Sequence, residues 1–123
     1  MTGFPKNVQN IVTLRAGGAC ERCGLAAPAY QYHHRRPRGM GGSRAADTNT
    51  AANCLLLCHY CHAKVESERD TSLGLGLLVA QGKSPAETPV WRLREWVLLD
   101  HYGYTTPVEE MAWNGSCSTT TNT

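Results

Sequence analysis

Cys58-His59-Tyr60-Cys61-His62 decides the fold once it is set beside Cys20-Glu21-Arg22-Cys23. Each stretch holds a Cys-x-x-Cys pair, a spacing that lets both thiolates of a knuckle reach one ion, and two knuckles complete a tetrahedron. Zinc fits because it favours thiolate sulfur and imposes no electronic geometry of its own. The knuckles are separated by 34 residues, so an ion held by Cys20, Cys23, Cys58 and Cys61 staples a long excursion. Four thiolates leave no open coordination position, so this site is expected to stabilise the fold and not to react. Gly24 follows the first knuckle, where a tight turn is expected. Disulfide pairing is the alternative, and it requires an oxidising compartment. Met1–Ala16 lacks the apolar core of a secretory signal, so the expected setting is reducing and cytoplasmic, where clustered cysteines more often bind metal. Of the two cysteines left over, Cys54 reads as a buried small hydrophobe and Cys117 as a tail thiol.

A staple is expected on other grounds. A chain of 123 residues argues for one domain. Its hydrophobic share is 41%, but part of that is Ala and six Cys. Large aliphatic clusters occur only at 55–57, 73–79 and 91–99, which makes a modest core. The sequence has no apolar run long enough to span a membrane. The net charge of +2 conceals an asymmetry. Residues 1–44 carry seven basic side chains and one acid, Glu21, for +6, and the remainder is −4. A basic half beside an acidic remainder is a candidate anion-binding face, with ordinary solvation as the plainer alternative.

The chain divides into an N-terminal segment (1–19), a zinc-knuckled core (20–82), a C-terminal extension with a hairpin (83–114) and a polar tail (115–123). Asn7–Leu14 alternates weakly and is read as a short strand. Ala29–His34 carries tyrosines at i, i+2 and reads as a strand with Tyr30 and Tyr32 on one face and Gln31 and His33 on the other. Arg35–Asn53 is a loop by composition, about 19 residues long, which compact domains rarely carry without a purpose. Leu55–Leu57 reads as a second strand pairing with the first. Cys58–Leu78 has helical spacing, weakened late by Gly74 and Gly76. Trp91–Asp100 and Thr105–Glu109 read as a terminal hairpin that sets Trp91 and Trp96 on the core.

His33 and His34 end the first strand, where adjacent side chains point to opposite faces. They can therefore take different roles across one site, one as metal ligand and one as base. Histidine suits the base role because its unperturbed pKa is near ~6.5. A pair of surface histidines is the plain reading of these two alone. Asn53 and His62 raise it: His62 follows the second knuckle directly, so a structural ion that pins Cys61 also aims the next side chain. Glu66 lies one helical turn beyond His62 on the same face, as a further ligand, a partner for His62 or a solvent-facing acid. Arg35, Arg36 and Arg38 are planar donors suited to phosphate oxygens, in a glycine-rich loop that permits close backbone approach. Their alternative use is pairing with Glu66, Glu68 or Asp70.

The combined pattern resembles the HNH endonuclease family, with its ββα-metal nuclease fold. The matching residues are Cys20-x-x-Cys23-Gly24, His33-His34-Arg35, Asn53 and Leu57-Cys58-His59-Tyr60-Cys61-His62. The run from His33 to Ser43 is especially similar to members encoded by bacteriophages. The likeness covers Cys20 to about Gly82 and continues weakly to Asp100. It implies an α+β protein: a small ββα-metal nuclease core stapled by zinc, with a C-terminal β-hairpin. It also implies one catalytic divalent metal (Mg²⁺, Mn²⁺, Ni²⁺ or Zn²⁺) held by His33 and His62. His34 then stands where the general base sits, Asn53 where an asparagine positions the loop, and Glu66 where some members carry a further metal-binding histidine. His59 could compete as a ligand, but the match favours His62. The implied activity is hydrolysis of double-stranded DNA to 5′-phosphate and 3′-hydroxyl ends, by nicking or with low sequence specificity. A phage terminase is an implied partner, in the cytoplasm of the host cell. The competing readings are a zinc module that binds DNA or protein without cutting, which needs neither His34 nor His62, and an inert structural domain.

Overall fold

The computed structural model describes residues 3–26, 30–37 and 46–108. Two antiparallel strands, β1 (Tyr30–His34) and β2 (Cys54–Cys58), form a hairpin whose register sets His33 opposite Leu55 and His34 opposite Cys54. Helix α2 (His59–Ser67) follows β2 without a linker, completing a ββα unit. Its first turn is capped by a knuckle: the Cys58 sulfur accepts the Cys61 N–H at 3.5 Å, the role an N-cap oxygen usually plays.

β2 is the centre of the molecule because both of its faces are buried. Leu55 and Leu57 pack with Cys61 and Val65 of α2, with Leu77 and Leu78, and with Val90, Val97 and Leu99 from the C-terminal sheet. Cys54 and Leu56 turn the other way, onto Phe4, Val12 and Ala51. Cys54 is fully buried, and burial raises its thiol pKa above the ordinary range, so it packs as a small apolar residue. A strand covered on both faces reads as a continuous apolar run, which Leu55–Leu57 is.

The second layer is helix α1 (Lys6–Ala16), where the sequence reading expects a strand. Val8, Ile11 and Val12 recur at helical spacing and all pack toward β2. Gly17, at φ 66°, ends the helix, with its N–H on the Leu14 carbonyl and that of Gly18 on Thr13.

The helical stretch after Cys58 is interrupted. α2 ends at Ser67, and α3 (Arg69–Gly74) begins beyond Glu68. Buried Ser72 bridges the break by donating to the Val65 carbonyl at 2.9 Å. Gly76 then passes so close to the C-terminal sheet that a Cβ there would lie 1.9 Å from the Pro89 carbonyl oxygen.

That sheet has three strands, β3 (Val90–Arg92), β4 (Glu95–Leu99) and β5 (Thr105–Pro107), all antiparallel. Trp91–Asp100 is therefore not one arm of a hairpin. It folds on itself at Leu93 and Arg94, both at positive φ (51° and 69°), the geometry of a tight two-residue hairpin turn. Val90, Val97 and Leu99 reach the core; Trp91 and Trp96 face each other across the strands at 5.4 Å, with Trp91 exposed. Arg38, Arg44, Glu109, Trp113 and Cys117 lie outside the described residues.

Candidate metal and active site

The first cluster is built from two knuckles, one between α1 and β1 and the other at the junction of β2 and α2. Cys20, Cys23, Cys58 and Cys61 place their sulfurs within 4.8 Å of one another. Zinc–sulfur bonds of ~2.3 Å in a tetrahedron set sulfurs about 3.8 Å apart, so the four fit one zinc with little movement. The knuckle backbone supports thiolates: the Arg22 N–H donates to Cys20 at 3.4 Å, and the Arg22 guanidinium donates to Cys61 at 3.3 Å. Burial opposes ionisation of Cys20, but N–H groups at Cys23, Cys58 and Arg22 outweigh it and bring its pKa to about 7.

The first knuckle is anchored by a buried charge cluster that the sequence reading did not identify. Glu21 is buried between the two cysteines. Its carboxylate accepts both Arg15 donors at 2.8 Å, Arg92 at 2.7 Å and the Leu56 N–H at 2.9 Å. Arg15 also donates to the carbonyls of Ala51 and Cys54. Three distant segments thus meet at one acid. Burial opposes its charge, but the bonds and charge of Arg15, the charge of Arg92 and the Leu56 N–H hold its carboxyl below the ordinary range.

The second cluster joins β1 to α2. His33, His62 and Glu66 each bring a ligand atom within 4.8 Å of the others. The His33 Nδ1 lies 3.6 Å from a Glu66 oxygen, and the His62 Nε2 lies 3.8 Å from the same oxygen. The imidazoles meet at 5.2 Å, nearly edge to face. Ligands at ~2.1 Å from one ion would stand about 3.4 Å apart in a tetrahedron, so the two carboxylate distances are within a few tenths of an ångström of that spacing, and the two imidazole nitrogens lie within 4.8 Å of each other. Two imidazoles and a carboxylate suit a first-row divalent ion.

His33 is prepared for that role. It is almost fully buried, and its Nε2 lies 2.9 Å from the Leu77 carbonyl. A carbonyl only accepts, so Nε2 carries the proton and Nδ1 turns its lone pair toward His62 and Glu66. Burial lowers its pKa to about 4, so the ring is neutral near pH 7. Glu66 is exposed and also pairs with Arg69 at 3.3 Å.

His34, on the opposite face of β1, is outside this cluster. Its ring stacks on Phe4 at 4.0 Å, 17° from parallel, and its Nε2 meets the Asn49 Oδ1 at 2.9 Å. Asn53 does not supply that contact. It is fully buried and holds the loop, its Oδ1 accepting the Arg36 N–H at 2.7 Å and its Nδ2 donating to the carbonyls of Thr48 and Arg36. Phe4 and Asn49 escaped the sequence reading, since nothing in Asp47-Thr48-Asn49-Thr50 separates an active-site asparagine from a turn asparagine. His59 is exposed at the start of α2, apart from both clusters.

The arginines require a correction. Arg35, expected to grip phosphate, is entirely inside. Its guanidinium donates to the carbonyls of Gly76, Ala52, Pro85 and Thr88, all at 2.8–3.0 Å. Burial lowers its pKa to about 9, still well above neutrality, so it remains a cation. Arg36 is 7% exposed and is occupied by Asp47 and the Lys83 carbonyl. Both hold the loop and the C-terminal extension to the core, and neither presents donors to a ligand. Arg38 lies outside the described residues.

Among the described residues, no helix is long and apolar enough to cross a membrane. No curated protein and no solved structure matches the chain. Residues 20–68 match the family model described as HNH endonuclease, an interval that begins at the first zinc cysteine and contains every ligand of both clusters. Over that segment the chain is similar to the HNH endonuclease family, a likeness that implies a metal-dependent nuclease.

Proposed function

We propose that the chain hydrolyses the phosphodiester backbone of double-stranded DNA at the His33–His62–Glu66 cluster, with His34 as the general base. The observation that carries this reading is the convergence of His33 and His62, from elements 29 residues apart, with Glu66 around a point that can hold one ion. His33, neutral and fixed by Leu77, and His62, aimed by the neighbouring knuckle, would be its principal ligands. A divalent ion held there supplies charge stabilisation at the phosphate and the departing 3′ oxygen. His34 takes the proton from the attacking water, which leaves 5′-phosphate and 3′-hydroxyl ends. Asn53 holds the loop against the end of β1 and so fixes where His34 stands. Arg35 and Arg36 are turned inward and supply no phosphate contact, and the cutting proposed is nicking or weakly specific. The phage-like run after His33 favours a role beside a terminase in DNA packaging.

The test is cleavage of supercoiled plasmid with Mg²⁺, Mn²⁺, Ni²⁺ or Zn²⁺ by the parent and by His34→Ala. The expected result is cleavage by the parent and a loss of ~10²–10⁴-fold in turnover for the variant, with metal and DNA binding retained. Cleavage by His34→Ala at the parent's rate overturns the assignment.

A further inference from the structure

We infer that Asn49 is a positioning residue for the base: it fixes the ring orientation and the tautomer of His34. The inference rests on the reading of His34 as the base.

A histidine that takes a proton from water must point one particular nitrogen at it. Nothing in an isolated imidazole decides which nitrogen that is, because both tautomers are populated. Two contacts among the described residues bear on it here. Phe4 stacks on the ring at 4.0 Å and 17°, which restricts tilting. Asn49 meets Nε2 at 2.9 Å through its side-chain oxygen, which restricts rotation within the ring plane. An amide oxygen only accepts, so Nε2 carries the proton and the basic lone pair is on Nδ1. The same oxygen goes on accepting from Nε2–H after Nδ1 has gained its proton, so the contact persists through the transfer.

Asn49 is held for this task. The turn Ala46–Asn49 is tied down at both sides: Thr50 donates to the Asp47 carbonyl at 2.9 Å, and the buried Asn53 donates to the Thr48 carbonyl at 2.8 Å. Asp47 is further clamped by Arg36. The asparagine at position 53 therefore acts on the base at one remove, by building the turn from which Asn49 reaches it.

The experiment compares the parent, Asn49→Ala, Asn49→Asp and His34→Ala, each purified with its tightly held zinc. The readouts are single-turnover plasmid cleavage, plasmid binding, melting temperature and the His34 tautomer from long-range ¹H–¹⁵N spectra. Asn49→Ala is expected to cleave ~10–100-fold more slowly, with plasmid affinity and melting temperature unchanged and the Nε2–H tautomer no longer dominant. Asn49→Asp retains an accepting oxygen and should restore most of the rate. Three results overturn the inference while leaving His34 as the base: Asn49→Ala at full rate with His34→Ala inactive, Asn49→Asp as slow as Asn49→Ala, or a loss of rate that merely follows a loss of melting temperature and binding. An active His34→Ala removes the underlying reading instead.

Discussion

The two ligand clusters begin within the same turn of α2, yet they are built on opposite plans. The sulfur cluster takes Cys58 and Cys61 from the start of the helix, and the imidazole cluster takes the very next residue, His62. The sulfur cluster is closed, with four ligands and knuckles locked by backbone N–H groups, by Arg22 and by the buried Glu21. The imidazole cluster is open: two histidines are held by the fold, while Glu66 is exposed and shared with Arg69. A closed four-ligand site gives its binding energy to folding, and an open one keeps positions for water and substrate. One short helix can carry both because the closed site supplies the rigidity that the open site lacks.

The largest expected effect separates the two by which property fails. Structural zinc in small domains contributes on the order of 10–16 kcal/mol of apparent binding energy to folding. Stripping the sulfur-held ion, or the change Cys20→Ser, should therefore abolish the helical circular dichroism signal and the cooperative melt. His62→Ala should preserve both and lose catalytic metal binding. A Cys20→Ser variant that melts like the parent would erase the contrast between a folding site and a reacting one.

A smaller effect tests what anchors the closed site. Glu21→Gln leaves Arg15 and Arg92 buried without their acid, and removing one partner of such a cluster costs about 3–5 kcal/mol. The measurement is urea unfolding at pH 7 with zinc held constant. Glu21 has a folded pKa below its unfolded value. Its contribution is therefore complete above the unfolded value of about 4.3 and is lost as pH falls below that toward the folded value. The stability gap between parent and variant should be constant from pH 7 to about 5 and narrow below it. A gap that stays flat through that acid range would mean the carboxylate charge is not what holds the knuckle.

How much of this was legible in the sequence follows from which residues have more than one possible partner. Cysteines paired at a fixed spacing have few competing uses, so the sulfur cluster could be read directly, and Leu55–Leu57 could be read as a second strand pairing with the first, though not that both of its faces are buried. That His62 points into a site beside the knuckle was legible because the knuckle constrains it, whereas the choice of His33 over His34 as its partner came from the family likeness and not from the strand. Arginine has no such constraint. Five donors serve phosphates or backbone carbonyls equally well, and Arg35 is used by four carbonyls that come together only in the folded chain. The turn at Leu93–Arg94 was hidden because glycine or asparagine normally marks positive φ. Helix α1 was missed because Val8, Ile11 and Val12 are too few to establish a period until β2 is there to receive them. Asn49 acts through a single contact across 15 residues, which no local pattern announces.

The smallest effects concern the exposed arm of the open site. Glu66→Gln keeps the shape and removes the charge, and it should weaken Mn²⁺ or Ni²⁺ binding by about tenfold, at the low end for an outlying partner of a metal site. The melting temperature should hardly change, because the Arg69 pair it breaks is exposed and worth about 0–1 kcal/mol. Arg69→Ala acts in the opposite direction. It releases Glu66 from a competing cation, so ion affinity measured by calorimetry should rise, about two- to fivefold on the same ion-pair estimate. The two changes together should bind no more tightly than Glu66→Gln alone, since Arg69 can influence the ion only through the carboxylate it holds. If Arg69→Ala tightens binding just as much in the Glu66→Gln background, the arginine acts by its field on the ion itself. The exposed acid would then be a bystander, and the open site would rest on its two histidines.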